Sequence, residues 1–225
     1  TFLFASMGVP EPDGLLAIMP MHALEGGHGS EPYDEAYPNY DLIRRTQRSF
    51  ADVMLVYPGI TSWDDRGESR PLNMARVTAS FFPAMRVFPT LGRAFTGDEQ
   101  EQRAVRVVVI GYRFWQSAMA GDSDVIGKAM RLEGEPYTVI GVMPEGFALP
   151  HPTDIWIPLD VPAGDRVAIT GARHYQMYGR LAAGRTIRDA EAEANDFTKR
   201  TVAASADNRE FRYEVRPMRD ALLGG

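Results

Sequence analysis

Cysteine is absent from the 225 residues, which removes disulfides, thiolate nucleophiles and every thiolate-ligated zinc or iron–sulfur centre at once. The redox compartment stays open, because a chain without cysteine suits either side of a membrane. No apolar run approaches the roughly 18 to 20 residues that cross a bilayer, so the chain as given has no transmembrane helix. Histidine is scarce, four in all, and no His-Glu-x-x-His pattern occurs. Basic residues are outnumbered, 24 Lys and Arg against 30 Asp and Glu for a net charge of −6. That balance argues against a phosphate-seeking surface and a nucleic-acid partner.

What is present is an ordinary globular composition. With 44% hydrophobic and 24% charged residues, disorder across the whole chain is excluded, and the length allows one large domain or two small lobes. The ends read as cut from a longer protein, from Thr1-Phe2-Leu3-Phe4-Ala5 to Leu222-Leu223-Gly224-Gly225. The opening stub is too short for a signal peptide. Both apolar ends fit segments approaching a bilayer surface, with ordinary packing as the alternative.

Residues 15–19 read as a strand, and residues 20–38, dense in Gly and Pro, as a mobile loop. The spacing of Tyr40, Ile43 and Phe50 predicts a helix over 39–50. Strands over 52–57 and 73–79 flank a polar turn at Asp64-Asp65-Arg66-Gly67 and suggest antiparallel pairing. Ser80 is placed to cap a short helix carrying Phe81, Phe82 and Met85, and 97–101 reads as loop. A buried strand at 105–110, a helix at 112–120, a hairpin of 129–133 with 137–143, and a strand at 154–158 follow. The clearest element is a helix over 186–203, where Ile187, Ala190, Ala194, Phe197 and Thr201 share one face, opened by a Thr186/Asp189 capping box. A strand over 211–218 closes the chain.

Chemical motifs are weak. The loop Gly121-Asp122-Ser123-Asp124-Val125-Ile126-Gly127-Lys128-Ala129 resembles a phosphate cradle, but it has five residues between its glycines where a P-loop has four. It also carries Ala129 where Ser or Thr would hold magnesium, and two aspartates that repel phosphate. His22, His28, His151 and His174 read as surface loop residues, and Ser30 lacks a Gly-x-Ser-x-Gly elbow. The pairs Asp64/Asp65 and Glu99/Glu101 lie in solvated turns unsuited to a tuned general acid. Trp115 and Trp156 sit in apolar patterns and read as core, whereas Trp63 borders a turn and reads as exposed. Arg44, Arg45 and Arg48 read as a solvated helix face. No residue is assigned as catalytic, cofactor-binding or metal-ligating, and no cofactor is implied.

Several stretches together resemble the periplasmic core domain of MacB-like ABC transporter permeases, over about residues 9–223. They are Val77-Thr78-Ala79-Ser80-Phe81-Phe82, Leu91-Gly92-Arg93-Ala94-Phe95 and Val139-Ile140-Gly141-Val142-Met143-Pro144-Glu145-Gly146-Phe147. Val125-Ile126-Gly127-Lys128, Asp154-Ile155-Trp156-Ile157-Pro158-Leu159 and Gly179-Arg180-Leu181-Ala182-Ala183-Gly184 add to the resemblance. The flavour is that of duplicated orphan permeases in the FtsX-like group. Arg86 stands where such relatives commonly carry Gly, which speaks against the usual left-handed exit from the Phe-Phe helix.

The resemblance implies an α+β, two-lobed domain, with a porter-like lobe of residues 1–92 and 173–225 and an inserted β-rich lobe of 93–172. It implies a periplasmic domain of a cytoplasmic-membrane protein, not an enzyme, flanked by its own transmembrane permease region and driven by a cytoplasmic ABC ATPase. A periplasmic adaptor or substrate protein is a further implied partner, and the fragment itself is expected to be a monomer or weak dimer. Both chain ends are then expected at one pole. The alternatives are a secreted or periplasmic binding module for a peptide or lipid, which should show a deep apolar cleft, and a small hydrolase, which should show converging polar groups.

Overall fold

The computed structural model describes residues 8–23, 30–32, 35–65, 67–101, 105–166, 175–204 and 211–223. In chain order, β1 (Leu15–Ala23) and β2 (Ser30–Pro32) precede α1 (Tyr37–Thr46), and the hairpin strands β3 (Phe50–Asp65) and β4 (Glu68–Val77) follow. Next come α2 (Phe81–Met85), β5 (Leu91–Gly92), α3 (Gly97–Glu101), β6 (Val107–Ile110) and α4 (Tyr112–Ala118). The hairpin β7 (Ala129–Leu132) and β8 (Glu135–Val142), then β9 (Ile155–Pro158) and β10 (Gln176–Leu181), lead to α5 (Ile187–Ala204), β11 (Phe211–Pro217) and α6 (Met218–Leu223). The fold is α+β, as expected.

Two compact units result, Thr1–Pro12 with Val56–Asp160, and Asp13–Leu55 with Val161–Gly225. Their bounds differ from the lobes of 1–92 with 173–225 and 93–172 expected from sequence. From Val56 on, the β3–β4 hairpin belongs with α2 and the β-rich segment, β4 pairing with β9 in parallel over Met74–Val77, while the start of β3 stays with the other unit.

The unit around 56–160 is a ring. β3 pairs with β4 antiparallel over ten consecutive residues, β4 with β9, β9 with β6, β6 with β8, β8 with β7, and β7 returns to β3 at Trp63/Leu132 and Asp64/Arg131. Closing a sheet on itself removes its edges and leaves alternate side chains pointing inward. That alternation supplies the core: Leu72 and Met74, Val108 and Ile110, Met130 and Leu132, Ile155 and Ile157. At β8 the register slips, Val108 facing Val139 but Val109 facing Gly141, so the inward set changes parity from Val139 to Val142. Trp63 is buried in this core, its ring edge-on to Phe114 at 5.0 Å, which corrects its reading as exposed. Turn proximity did not decide its fate; the two-residue closure with β7 did.

The outward side chains of the same sheet are covered by α2. Trp156, between the inward Ile155 and Ile157, meets Phe82 at 6.2 Å and Phe147 at 5.5 Å and donates its indole N–H to the Leu149 carbonyl at 2.9 Å. Ser80 precedes α2 but makes no side-chain cap; its hydroxyl meets Thr78 Oγ1 instead. Arg86 does adopt the left-handed exit, at φ 55° and ψ 30°, with its N–H on the Pro83 carbonyl and that of Val87 on Phe82. The 97–101 loop is a helical turn, because Thr96 and Glu99 cap it reciprocally, N–H to carboxylate at 2.9 Å and N–H to hydroxyl at 3.2 Å.

Two glycines permit the last crossing of this unit. A Cβ on Gly92, at φ 72°, would lie 2.1 Å from the Ile140 carbonyl oxygen, and one on Gly141 would lie 2.5 Å from that of Arg93. With both absent, β5 lies against β8 through Arg93 N–H to Ile140 O and Thr90 N–H to Val142 O, both 2.8 Å.

The other unit is an open sheet in the order β11-β1-β10-β3, with β2 on β1. The segment expected as loop over 20–38 is thus partly strand. Pro20 is tolerated inside β1 because its partner Tyr213 sends its N–H to Thr198 Oγ1, 2.9 Å away, and among the described residues none of β10 or β2 is paired with Pro20. Helix α1 stops at Thr46, four residues short of the expected end. Phe50 opens β3, its N–H held by Gln47 Oε1 at 3.0 Å. Helix α5 packs on β11 with Ala190, Ala194 and Phe197 buried and Ile187 half-buried, while Arg188, Asp196 and Lys199 are exposed. Its Thr186/Asp189 box forms as read, Asp189 taking the Thr186 N–H at 2.7 Å. The expected contribution of Thr201 lies outside the described side chains.

Candidate functional site

The Gly-rich loop at 121–128 is spent on its own fold. Its N–H groups donate inward: Gly121 to Trp115 O, Asp122 to Met119 O, Val125 to Asp122 O, Gly127 to Val139 O, Lys128 to Val125 O, and Asp124 to the Asp122 carboxylate. Lys128 pairs with Asp122, and that ammonium, with the Asp124 N–H, holds the Asp122 carboxyl below its usual range. A phosphate would find neither a free amide cradle nor a free cation.

The other candidates stay apart. His28 and His174 lie outside the described residues, as do the side chains of His22 and Ser30; His151 is exposed on a turn. Asp64 holds the Gly134 N–H at 2.9 Å, tying the end of β3 to the β7–β8 turn. Glu99 takes the Arg93 guanidinium with both oxygens, at 2.6 and 2.8 Å, and Glu101 is exposed. Arg44 and Arg45 both pair with Asp41 at 2.9 Å. Trp115 is half-buried, its indole N–H on the Asp122 carbonyl. Among the described residues no group of three or more His, Asp or Glu side chains is disposed to hold a metal ion. The terminal apolar stubs at residues 1–5 and 224–225 fall outside the description, and the side chain of Leu223 with them.

The described surface carries a concavity in each unit. In the open-sheet unit, a crevice of about 440 Å³ runs between the end of α1 and α5, lined by Arg48, Glu193, Asp196, Lys199 and Arg200. Both its acids are engaged: Glu193 accepts the backbone N–H groups of Arg48 at 2.6 Å and Ser49 at 2.8 Å, and Asp196 pairs with Lys199 at 3.5 Å. In the ring unit, a cleft of about 660 Å³ opens at one end of the barrel, between the start of β4, helix α4 and the chain before β9.

Asp154 builds that cleft. Its carboxylate accepts the Asn73 N–H at 2.9 Å, its N–H reaches the Asn73 carbonyl at 2.8 Å, and its carbonyl accepts the Gly111 N–H at 2.7 Å. One residue thereby pins β4, α4 and the β9 approach around the mouth. Phe114, Trp63 and Phe147 provide apolar lining, and the guanidinium groups of Arg70 and Arg113 stand at the surface. Sequence reasoning missed this site, since its three segments carry no ligand-binding motif and only the sheet order brings them together.

The two-unit fold is that of known bacterial domains. A crystal structure of a domain from Porphyromonas gingivalis superposes with a TM-score of 0.70 at 18% identity, covering 93% of this chain and 92% of that one. The periplasmic region of MacB from Actinobacillus actinomycetemcomitans gives 0.65 at 13% identity, over 98% and 94% of the two chains. At such identities the likeness is one of fold alone. The family itself follows from sequence: the model of the MacB-like periplasmic core domain matches residues 3–197, and the chain belongs to that family. A curated relative, the pyoverdine export ATP-binding/permease protein PvdT of Pseudomonas syringae pv. syringae (strain B728a), is 34% identical over 64 residues. That stretch is 28% of this chain and 10% of the relative's length.

Proposed function

We propose that the chain is the periplasmic domain of an ABC transporter permease and transmits ATP-driven motion of the membrane region to substrates or partners outside the cytoplasmic membrane. The observation that carries this reading is the family match across residues 3–197; the partial identity to an export permease supports it. Its partners are then the permease's own transmembrane region, a cytoplasmic ABC ATPase and a periplasmic adaptor or substrate protein. We assign the porter-like role to 13–55 with 161–225 and the β-rich role to 56–160 with 1–12, moving the sequence-based bounds to the compact units. The closed ring suits mechanical transmission, because closure leaves no free strand edge at which the sheet could part. The chain contributes shape and displacement, with no covalent chemistry.

The absence of cysteine provides the test. Single cysteines introduced at the exposed positions Arg188 and Ile60 in the full reading frame are treated with a membrane-impermeant maleimide in intact cells after outer-membrane permeabilisation. Labelling without lysis, at a rate that changes when the cognate ATPase is trapped with vanadate, is the expected result. Labelling only after lysis would refute periplasmic placement, and rates indifferent to trapping at both positions would refute transmission.

A further inference from the structure

We propose that the cleft at the barrel mouth binds a small organic anion with an apolar body, a carboxylate carried on an aliphatic or aromatic frame. Its volume of about 660 Å³ falls within the roughly 300–1,000 Å³ of small-molecule sites. The apolar half of such a ligand meets Phe114 and Phe147, the former fixed edge-on against Trp63. The polar half meets a surplus of donors. The side chains of Arg113, Asn73 and Ser117 have no hydrogen bond or ion pair with any described residue. Arg70 engages Glu68 at 3.0 Å in a pair exposed on both sides, an interaction weak enough to exchange for a ligand. The carboxylate among the lining residues, Asp154, already spends an oxygen on the Asn73 N–H.

With Arg70 facing Glu68 and Asp154 engaged by the Asn73 N–H, the unpaired guanidinium of Arg113 sets the sign of the ligand. A guanidinium facing a carboxylate across a partly apolar site gives a charge-assisted, two-pronged contact that an alcohol cannot reproduce. All lining residues belong to the ring unit, so the site requires no particular disposition of the second unit. The proposal is independent of membrane attachment and of any transported substrate.

The probe is 8-anilinonaphthalene-1-sulfonate, an anion on an aromatic frame, titrated into the 225-residue chain by fluorescence and by amide NMR shifts. The expected result is saturable one-to-one binding with shifts concentrated at 70–73, 111–118 and 146–154. Dodecanoate should displace the probe at least about tenfold more effectively than dodecanol. Arg113→Ala should weaken binding about tenfold with Arg113→Lys recovering part of it, and Ser117→Trp should abolish binding by filling the cleft. Equal displacement by the alcohol, undiminished binding in both Arg113→Ala and Ser117→Trp, shifts mapping elsewhere, or no saturable binding would each overturn the proposal.

Discussion

The two compact units solve the problem of enclosing a core in opposite ways. In the ring unit the sheet is its own container. Six strands close through only two residue pairs between β3 and β7, the inward side chains fill the interior, and β5 is drawn onto β8 by backbone contacts that require glycine. In the open-sheet unit helices do the enclosing, and side chains tether them: Tyr40 Oη to Val53 O, Glu193 to the N–H groups of Arg48 and Ser49, Thr198 to the Tyr213 N–H. Stability therefore rests on backbone approach in one unit and on helix side chains in the other, and substitutions should sort accordingly.

The sharpest break falls on the helix-enclosed unit. Phe197 is fully buried on α5, and Phe197→Ala should cost about 3–5 kcal/mol, read as a lower denaturation midpoint with amide protection lost first in α5, β1 and β11. An unchanged midpoint would make α5 peripheral. In the ring unit the corresponding break is a methyl group. Gly92→Ala combines a left-handed backbone with a Cβ inside the Ile140 carbonyl, an expected cost of about 2–4 kcal/mol centred on β5 and β8. Gly97→Ala, in open space on α3, is its control and should stabilise by up to about 1 kcal/mol.

Smaller effects follow from the tethers and exits. Glu193→Ala leaves two backbone donors without their carboxylate, at an expected cost of about 1–2 kcal/mol, with Glu193→Gln recovering part of it. Arg86→Gly removes a side chain from the left-handed exit of α2 and sacrifices only an exposed ion pair with Glu11. A net gain of about 0.5–1 kcal/mol by chemical denaturation is expected. A loss would show that the pair outweighs the backbone strain.

What was legible in the sequence follows the same division. Helix α5 and the β7–β8 hairpin announce themselves, because periodicity and turn chemistry are local. β10 does not. Gly179 and Arg180 look unlike a buried strand, yet Gly179 lets the Phe50 ring lie across it and Arg180 is 2% exposed. β3 was expected over 52–57, inside which the apolar pattern is confined. Ten consecutive pairs with β4 carry it on to Asp65. The one-turn helix α3 was readable in Thr96 and Glu99, but Gly97 masked the signal. The ring closure and the cleft it shapes depend on pairings 70 or so residues apart, as between Asp64 and Arg131, and pattern within a window carries no trace of them.

The finest comparison is between two copies of one device. Each unit opens a helix with a Thr/acid capping box, Thr96 with Glu99 in the ring and Thr186 with Asp189 in the open-sheet unit. Both carboxyls are held below their usual range, Glu99 first by the Arg93 guanidinium and then by the Thr96 N–H, Asp189 by the N–H and hydroxyl of Thr186. A carboxyl depressed in the folded state stabilises fully above its unfolded pKa, about 4, and that contribution fades as pH falls through the lower folded value. Glu99 is hydrogen-bonded directly to a cation, whereas Arg185 acts on Asp189 only through space and more weakly than the Thr186 bonds; Glu99 is also largely covered, with 12% of its side chain exposed. The acid-side loss of stability between about pH 5 and pH 3 should therefore shrink more in Glu99→Gln than in Asp189→Asn. Denaturation midpoints across that interval are the measurement. Added salt should narrow the difference between the two variants, because the Arg93 side of the pair is open to solvent; an equal response to acid in both would mean that Arg93 adds nothing beyond the cap.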